Sequence, residues 1–204
     1  VNADTISDTV LAPAVTADKP INSWRFVLSP DGRQIALISS TELSFINVDG
    51  SNRRQAVLTY PEVGAGDAGP VLPTGVWTQD ARAFVITGPI ESESRLVMNF
   101  TIWRVPVDGS PAEPLATILD DSHPGSVTFS ADGQRAAFYR WPEVAWLITP
   151  FAVDVGPLAI PYDIELGYAN LHWSPAGTAF VFPDTFAGTL FQLCPDVTQD
   201  SEVC

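Results

Sequence analysis

A short turn sequence recurs four times and sets the period of the chain. Its clearest copy is Ser29-Pro30-Asp31-Gly32, held between the apolar runs of WRFVLSPDGRQIALI, Trp24 to Ile38. Pro30 presets the torsion of the first central position, Asp31 can bond nearby backbone, and Gly32 can take a positive φ without Cβ strain. The flanking runs are therefore predicted to be antiparallel strands of a hairpin. The same frame returns as VWTQDARAFVI (76–86), TFSADGQRAAF (128–138) and HWSPAGTAFVF (172–182). The turns open at Ser29, Thr78, Ser130 and Ser174, at intervals of 49, 52 and 44 residues.

A second signal agrees with the first. The third predicted strand of the first unit ends in Val48-Asp49-Gly50, that of the second in Val107-Asp108-Gly109, and Val153-Asp154-Val155-Gly156 is a looser third copy. In the first unit the pattern predicts strands near 24–28, 33–38, 43–48 and 55–60. In the second it predicts 75–78 and 82–87, an insertion GPIESESRLVMN, a strand within Thr101 to Gly109 and one near 113–118. The fourth unit has room for three strands, the last at 189–193. The second turn, Thr78-Gln79-Asp80-Ala81, has neither the proline nor the glycine, and Ala81 at positive φ would cost about 1 kcal/mol relative to glycine.

Four-stranded units at 40 to 50 residues are expected of an all-β protein, a β-propeller of about four blades, complete or part of a larger ring. The organisation read from the sequence is a lead-in at 1–20 with an apolar patch at 9–12, repeats at about 21–73, 74–125, 126–169 and 170–193, and a tail at 194–204. Residues 5–15 could supply the outer strand that the fourth repeat lacks, which would close a ring and remove exposed edges. Leu28-Ser29-Pro30-Asp31-Gly32, Phe129-Ser130-Ala131-Asp132-Gly133 and Trp173-Ser174-Pro175-Ala176-Gly177 together resemble the PD40, or TolB-like, WD40-like propeller repeat. That resemblance implies a periplasmic, secreted or cell-surface binding or scaffolding module, and related propellers also precede serine-peptidase domains. It implies six or more blades where four are counted here, so a closed small ring, a piece of a larger one and a half-ring completed by another chain all stand open.

The formal charge of −14, with one lysine and nine arginines, argues against nucleic acid or an anionic membrane surface as partner. No apolar run approaches the ~20 residues of a membrane span. The chain opens on Val1 without a signal segment, as expected of a processed product or an excised piece. A protein partner, the other half of a propeller or a second copy of the chain fits this profile, and no motif calls for a cofactor.

Strand alternation puts the Ser-Pro-Asp-Gly turns and the third-to-fourth turns on one side. The connections that vary in length fall on the other, as binding loops on a rigid scaffold do. That second side gathers Asp67, Glu91, Glu93, Asp120, Asp121, His123, Trp141, Glu143, Tyr162, Asp163, Glu165 and Asp184. Two readings compete: an acidic funnel for a cation or a basic or sugar-like ligand, and a solvated acidic rim on a protein that is acidic throughout. No EF-hand pattern supports calcium. No G-x-S-x-G occurs, and nine carboxylates offer no single pair for glycosidic chemistry. His172 is expected to be packed and His123 to shape its turn before Pro124. Trp24, Trp77 and Trp173 in first strands and Trp103 in a third strand read as core between blades, with Trp141 and Trp146 less accounted for. Asn99-Phe100-Thr101 is a glycosylation sequon, meaningful in a secreted eukaryotic protein.

The two cysteines, Cys194 and Cys204, bracket the polar loop PDVTQDSEV, and no CxxC or Cys/His cluster accompanies them. A disulfide closing this loop would pin the tail and suits an oxidising compartment. Accordingly, iodoacetamide should label neither cysteine in the unfolded, unreduced protein and both after reduction, as read by mass spectrometry. Full labelling before reduction would show two free thiols.

Overall fold

The computed structural model describes residues 24–61, 72–90, 99–118, 127–140, 144–149, 153–159, 172–174, 179–183 and 190–193, all in strands, turns and bends. Among the described residues, fifteen strands form four antiparallel sheets. Sheet 1 runs β1 (Arg25–Leu28), β2 (Gln34–Ile38), β3 (Glu42–Asn47), β4 (Arg54–Thr59), and sheet 2 runs β5 (Gly75–Trp77), β6 (Ala83–Ile90), β7 (Asn99–Pro106), β8 (Glu113–Ile118). Sheet 3 holds β9 (Thr128–Phe129), β10 (Ala136–Arg140), β11 (Val144–Thr149) and β12 (Val153–Ala159). Sheet 4 holds, among the described residues, β13 (His172–Trp173), β14 (Phe180–Pro183) and β15 (Leu190–Leu193). Each sheet is a meander in chain order, and in each four-stranded sheet a bulge interrupts the pairing of third and fourth strands. A bulge there increases the local twist of the outer strand.

Sheets 1 and 2 pack face to face. One face of sheet 1 offers Ala36, Ile38, Leu43, Phe45, Ala56 and Leu58, and sheet 2 answers with Trp77, Phe84, Ile86 and Val105. Phe84 meets Phe45 and Trp77 edge to face and Phe45 meets Trp77 tilted at 48°, with ring centroids 5.4 to 6.3 Å apart. Such pairs add about 0.5–1.5 kcal/mol each beyond the area they bury. The other face of sheet 2 places Val85, Phe100 and Ile102 against Phe129 and Ala136 of sheet 3. The first strands lie side by side in order, β1 by β5, β5 by β9 and β9 by β13. Two of these contacts are tied by an indole: Trp77 donates from Nε1 to the Val27 carbonyl at 2.8 Å, and Trp173 to the Thr128 carbonyl at 3.2 Å. Trp77 is 2 % exposed, so its N–H would otherwise be a buried unpaired donor.

Four features differ from the sequence reading. The residue before each turn, Leu28, Trp77, Phe129 or Trp173, is the equivalent position, and Trp24 lies outside that frame, just ahead of β1. Val153-Asp154-Val155-Gly156 forms the start of β12 and closes no corner. The glycine that bends the true corners, Gly50 at φ +83° and Gly109 at φ +90°, is there replaced by Val155, whose branched Cβ is excluded from that region. Part of the expected insertion is strand, because β6 runs on to Ile90 and pairs with Asn99. Finally, His172 is exposed rather than packed, on the face of sheet 4 turned away from sheet 3.

The turns realise the predicted torsions, with Gly32 at φ +69°, Gly133 at +68° and Ala81 at +56°. At Gly32 an added Cβ would meet nothing within 4 Å, so the cost of a side chain there is torsional alone. Gly32→Ala should lower stability by about 1 kcal/mol. Ala81→Gly should recover a similar amount less the value of one buried methyl. Both are measured by chemical denaturation at unchanged m-value.

Candidate functional site

The two ends of the sheets are built differently. At the turn end, three of the four hairpins are closed by a Ser or Thr and an Asp two residues on, and the fourth has Ser174 with Ala176 in the place of the Asp. Ser29 Oγ donates to Asp31 Oδ1 at 2.6 Å and accepts the Gln34 amide at 2.9 Å, while the Arg33 amide reaches Asp31 Oδ1 at 3.1 Å. Thr78 and Asp80 repeat this with the amides of Ala83 and Arg82, and Ser130 and Asp132 with those of Arg135 and Gln134. In the fourth hairpin the Ala179 amide donates to Ser174 Oγ at 3.2 Å. The hydroxyl persists in all four turns and the carboxylate in the first three, which explains why the second turn holds without its proline or glycine.

The corners between third and fourth strands use the same device. Asp49 Oδ1 accepts the Ser51 amide at 2.9 Å and the Ser51 hydroxyl at 2.6 Å, and Asp108 Oδ1 accepts the Ser110 amide at 2.9 Å. The sequence reading stopped at Val-Asp-Gly and missed these serines, although Val-Asp-Gly-Ser stands twice in the chain.

These bonds hold the carboxyls below their ordinary range. For Asp31, Asp49 and Asp80 the neighbouring hydroxyl is the largest cause and the backbone amide the second. For Asp108 the Ser110 amide comes first. At Asp132 burial opposes ionisation, yet the Ser130 hydroxyl, the Gln134 amide and Arg135 together outweigh it. Five carboxylates on this end are thus engaged in capping their own turns. Beside Ser39, the buried phenol of Tyr60 donates to the Ser39 carbonyl at 3.1 Å, and burial, with Glu42 nearby, pushes its pKa up.

The opposite end is where the varied connections depart. Segments 62–71, 91–98, 119–126, 141–143, 160–171 and 184–189 join strands that stop on that side. Asp67, Glu91, Glu93, Asp120, Asp121, His123, Trp141, Glu143, Tyr162, Asp163, Glu165 and Asp184 lie outside the described residues, as do Cys194 and Cys204. Asn99 opens β7 opposite Ile90, with Phe100 buried beneath and the Thr101 hydroxyl 3.2 Å from that of Thr117. Among the described residues, no group of three metal-ligating side chains comes together, and no helix is long and apolar enough to cross a membrane.

Solved structures with this arrangement are β-propellers. The propeller domain of Cps50 (Swd1) from Myceliophteria thermophila superposes with a TM-score of 0.56 at 14% identity, over 82% of this chain and 49% of that one. A TolB protein from Agrobacterium tumefaciens gives 0.53 at 15%, over 84% and 57%. Oligogalacturonate lyase from Vibrio parahaemolyticus gives 0.51 at 12%, over 78% and 44%. The chain therefore has the β-propeller fold of TolB-like and WD40-like proteins, and it spans about half the length of these neighbours. No protein-family model and no curated protein sequence matches it.

The depressed carboxyls fix a pH dependence. In the unfolded chain they titrate near pH 3.9, and in the folded chain lower, so the unfolded state takes up protons first as pH falls. Their stabilisation is complete well above that value and is lost as pH drops through the folded pKa values. Thermal melts should show a plateau above about pH 5 and a decline below about pH 4. Replacing Asp31, Asp80 and Asp132 together by Asn should lower the plateau and flatten the decline.

Proposed function

We propose that this chain is a non-catalytic, extracytoplasmic propeller module that binds or scaffolds a protein partner through the connections opposite the turn end. The observation that carries this reading is the contrast between the two ends. At one, repeated carboxylates are committed to closing hairpins. At the other, connections of differing length leave a fixed frame, which is how recognition loops are mounted on rigid scaffolds. Resemblance in fold to TolB and to the Swd1 propeller is in keeping with it. The acidic loops favour a partner with a basic face, because complementary charge speeds encounter and selects the partner.

A second reading is a carbohydrate-active or peptidase-associated propeller working through loop carboxylates, favoured by the similarity in fold to oligogalacturonate lyase. One experiment separates the two. Glu91→Gln, Glu93→Gln, Asp120→Asn and Asp121→Asn are combined, and parent and variant are compared in partner capture from envelope extract and in turnover of oligogalacturonate. Capture that is salt-sensitive and lost in the variant, with no unsaturated product from either protein, is the expected result. Product formation by the parent that the variant abolishes would establish the enzymatic reading.

A further inference from the structure

Four Asp-Gly steps stand in the chain, Asp31-Gly32, Asp49-Gly50, Asp108-Gly109 and Asp132-Gly133. After an aspartate the next backbone nitrogen can attack the side-chain carboxyl and close a cyclic imide. Glycine in that place has no Cβ to hinder the approach. Two of the steps share one local sequence, Val48-Asp49-Gly50-Ser51 and Val107-Asp108-Gly109-Ser110, and one position, the corner between third and fourth strands. The local chemistry of the two steps is therefore the same. They differ one residue further back, where the first corner has Asn47 and the second Pro106.

Asn47 ties the first corner. Its amide donates to the Ser51 carbonyl at 3.0 Å and its Nδ2 to Ser51 Oγ at 3.0 Å, while its carbonyl accepts the Gly50 amide at 2.8 Å. Proline has no amide hydrogen and no side-chain donor, so Pro106 can make neither of the first two bonds. Among the described residues the Gly109 amide has no hydrogen bond to match that of Gly50, and what holds Asp108 is the Ser110 amide, at 2.9 Å, with the Ser110 hydroxyl second. Asp108, Gly109 and Ser110 are all exposed, and a Cβ placed on Gly109 would meet nothing within 4 Å. The other two steps are tied as Gly50 is: Gly32 donates to the Ser29 carbonyl and Gly133 to the Ser130 carbonyl, each at 2.9 Å. Gly133 is also buried, with Val85, Val76 and the Trp77 carbonyl 3.5 to 3.6 Å from where a Cβ would lie. Imide closure turns the Asp-Gly peptide plane until the nitrogen faces the carboxyl carbon, and a hydrogen bond from that nitrogen opposes the turn.

We propose that Asp108 is a site of spontaneous modification, at which the folded chain isomerises aspartate to isoaspartate faster than at its other three Asp-Gly steps. The Gly109 nitrogen attacks Cγ of Asp108 in the protonated form of the carboxyl. The N–Cγ bond forms, the Cγ–OH bond breaks, and the proton of the nitrogen leaves with the hydroxyl as water. A water molecule then adds at the main-chain carbonyl carbon of Asp108 and breaks its bond to the Gly109 nitrogen. The main chain now runs through Cβ and Cγ, one carbon longer, and the former main-chain carbonyl is a free carboxylate. One water is lost and one regained, so mass is unchanged, and one carboxylate replaces another. The carboxylate that accepted the Ser110 amide is consumed, and the corner joining β7 to β8 loses the bond that caps it. The corner lies at the turn end, away from the varied connections, so the inference is independent of the binding role proposed above.

Peptide mapping of the full 204-residue chain, held folded in mildly acidic buffer and sampled over weeks, tests it. Fragmentation that distinguishes isoaspartyl from aspartyl backbone reads each step separately. Isoaspartate should accumulate at Asp108 roughly fivefold or more faster than at Asp49, the factor that one ordinary hydrogen bond corresponds to. In denaturant, where neither corner exists, the two steps should react at equal rates, which separates the effect of the fold from that of the sequence. Pro106→Asn, which returns the donors of the first corner, should slow Asp108 toward the rate of Asp49. Equal rates at Asp49 and Asp108 in the folded chain overturn the proposal, as does a faster rate at Asp31 or Asp132. So does a lead of Asp108 that persists unchanged in denaturant, or a folded Pro106→Asn whose Asp108 rate matches the parent's. Where Pro106→Asn does not fold, the folded and unfolded parent decide the matter between them.

Discussion

The structure depends on the packing of one sheet's first strand into the face of the sheet before it. A four-stranded antiparallel sheet has two faces, and in sheets 1 and 2 both are apolar, so neither can be stable by itself in water. Phe45, Trp77 and Phe84 show how the problem is solved: three rings from two sheets share one site, while the indole N–H is satisfied by the Val27 carbonyl. The tie from Trp173 to Thr128 shows the same solution at the other end of the array. Where the aromatic is Phe129 no N–H needs a partner, and burial alone holds the contact.

The turns contribute something different. Their hydroxyl and carboxylate pairs satisfy amides that a sharp change of direction would leave orphaned, and they do so beside solvent, where the carboxylate remains ionised. The resulting end of the molecule is rigid and chemically committed. What varies between the sheets is therefore pushed to the opposite end, and recognition, where it occurs, inherits a frame that its own loops need not build.

How far this could be read in the residues depends on how local each interaction is. The hairpins were legible because Ser29, Asp31 and Gly32 act within five positions of one another, and the strands fall within about two residues of their expected limits in sheet 1. The alignment between sheets was harder to read. Tryptophan was a tempting marker, but Trp24 stands five residues before Ser29, whereas Trp77 and Trp173 each stand one before their turn. The residue that fills the aromatic position in sheet 1 is Leu28. Val153-Asp154-Val155-Gly156 carried nearly the right letters, yet without glycine at the bending position and serine after it the backbone continues as strand. The carboxylates expected at the loop end were legible only as a set on one side. Which of them converge is a matter of loop conformation, and loop conformation is not written in a strand period.

The turn of Ser29 to Gln34 also bears on how the molecule acquires its shape. Every bond that closes it joins residues no more than five apart, and the same holds for Thr78 to Ala83 and for Ser130 to Arg135. Closing so short a loop costs little chain entropy, whereas docking one sheet on the next must bring together residues such as Val27 and Trp77, fifty positions apart. Closing a hairpin is therefore the inexpensive step, and the larger entropy cost lies in stacking one sheet on the next. A chain built of such locally closed units confines each turn's demands to its own five or six residues, and only the docking faces must match from one sheet to the next.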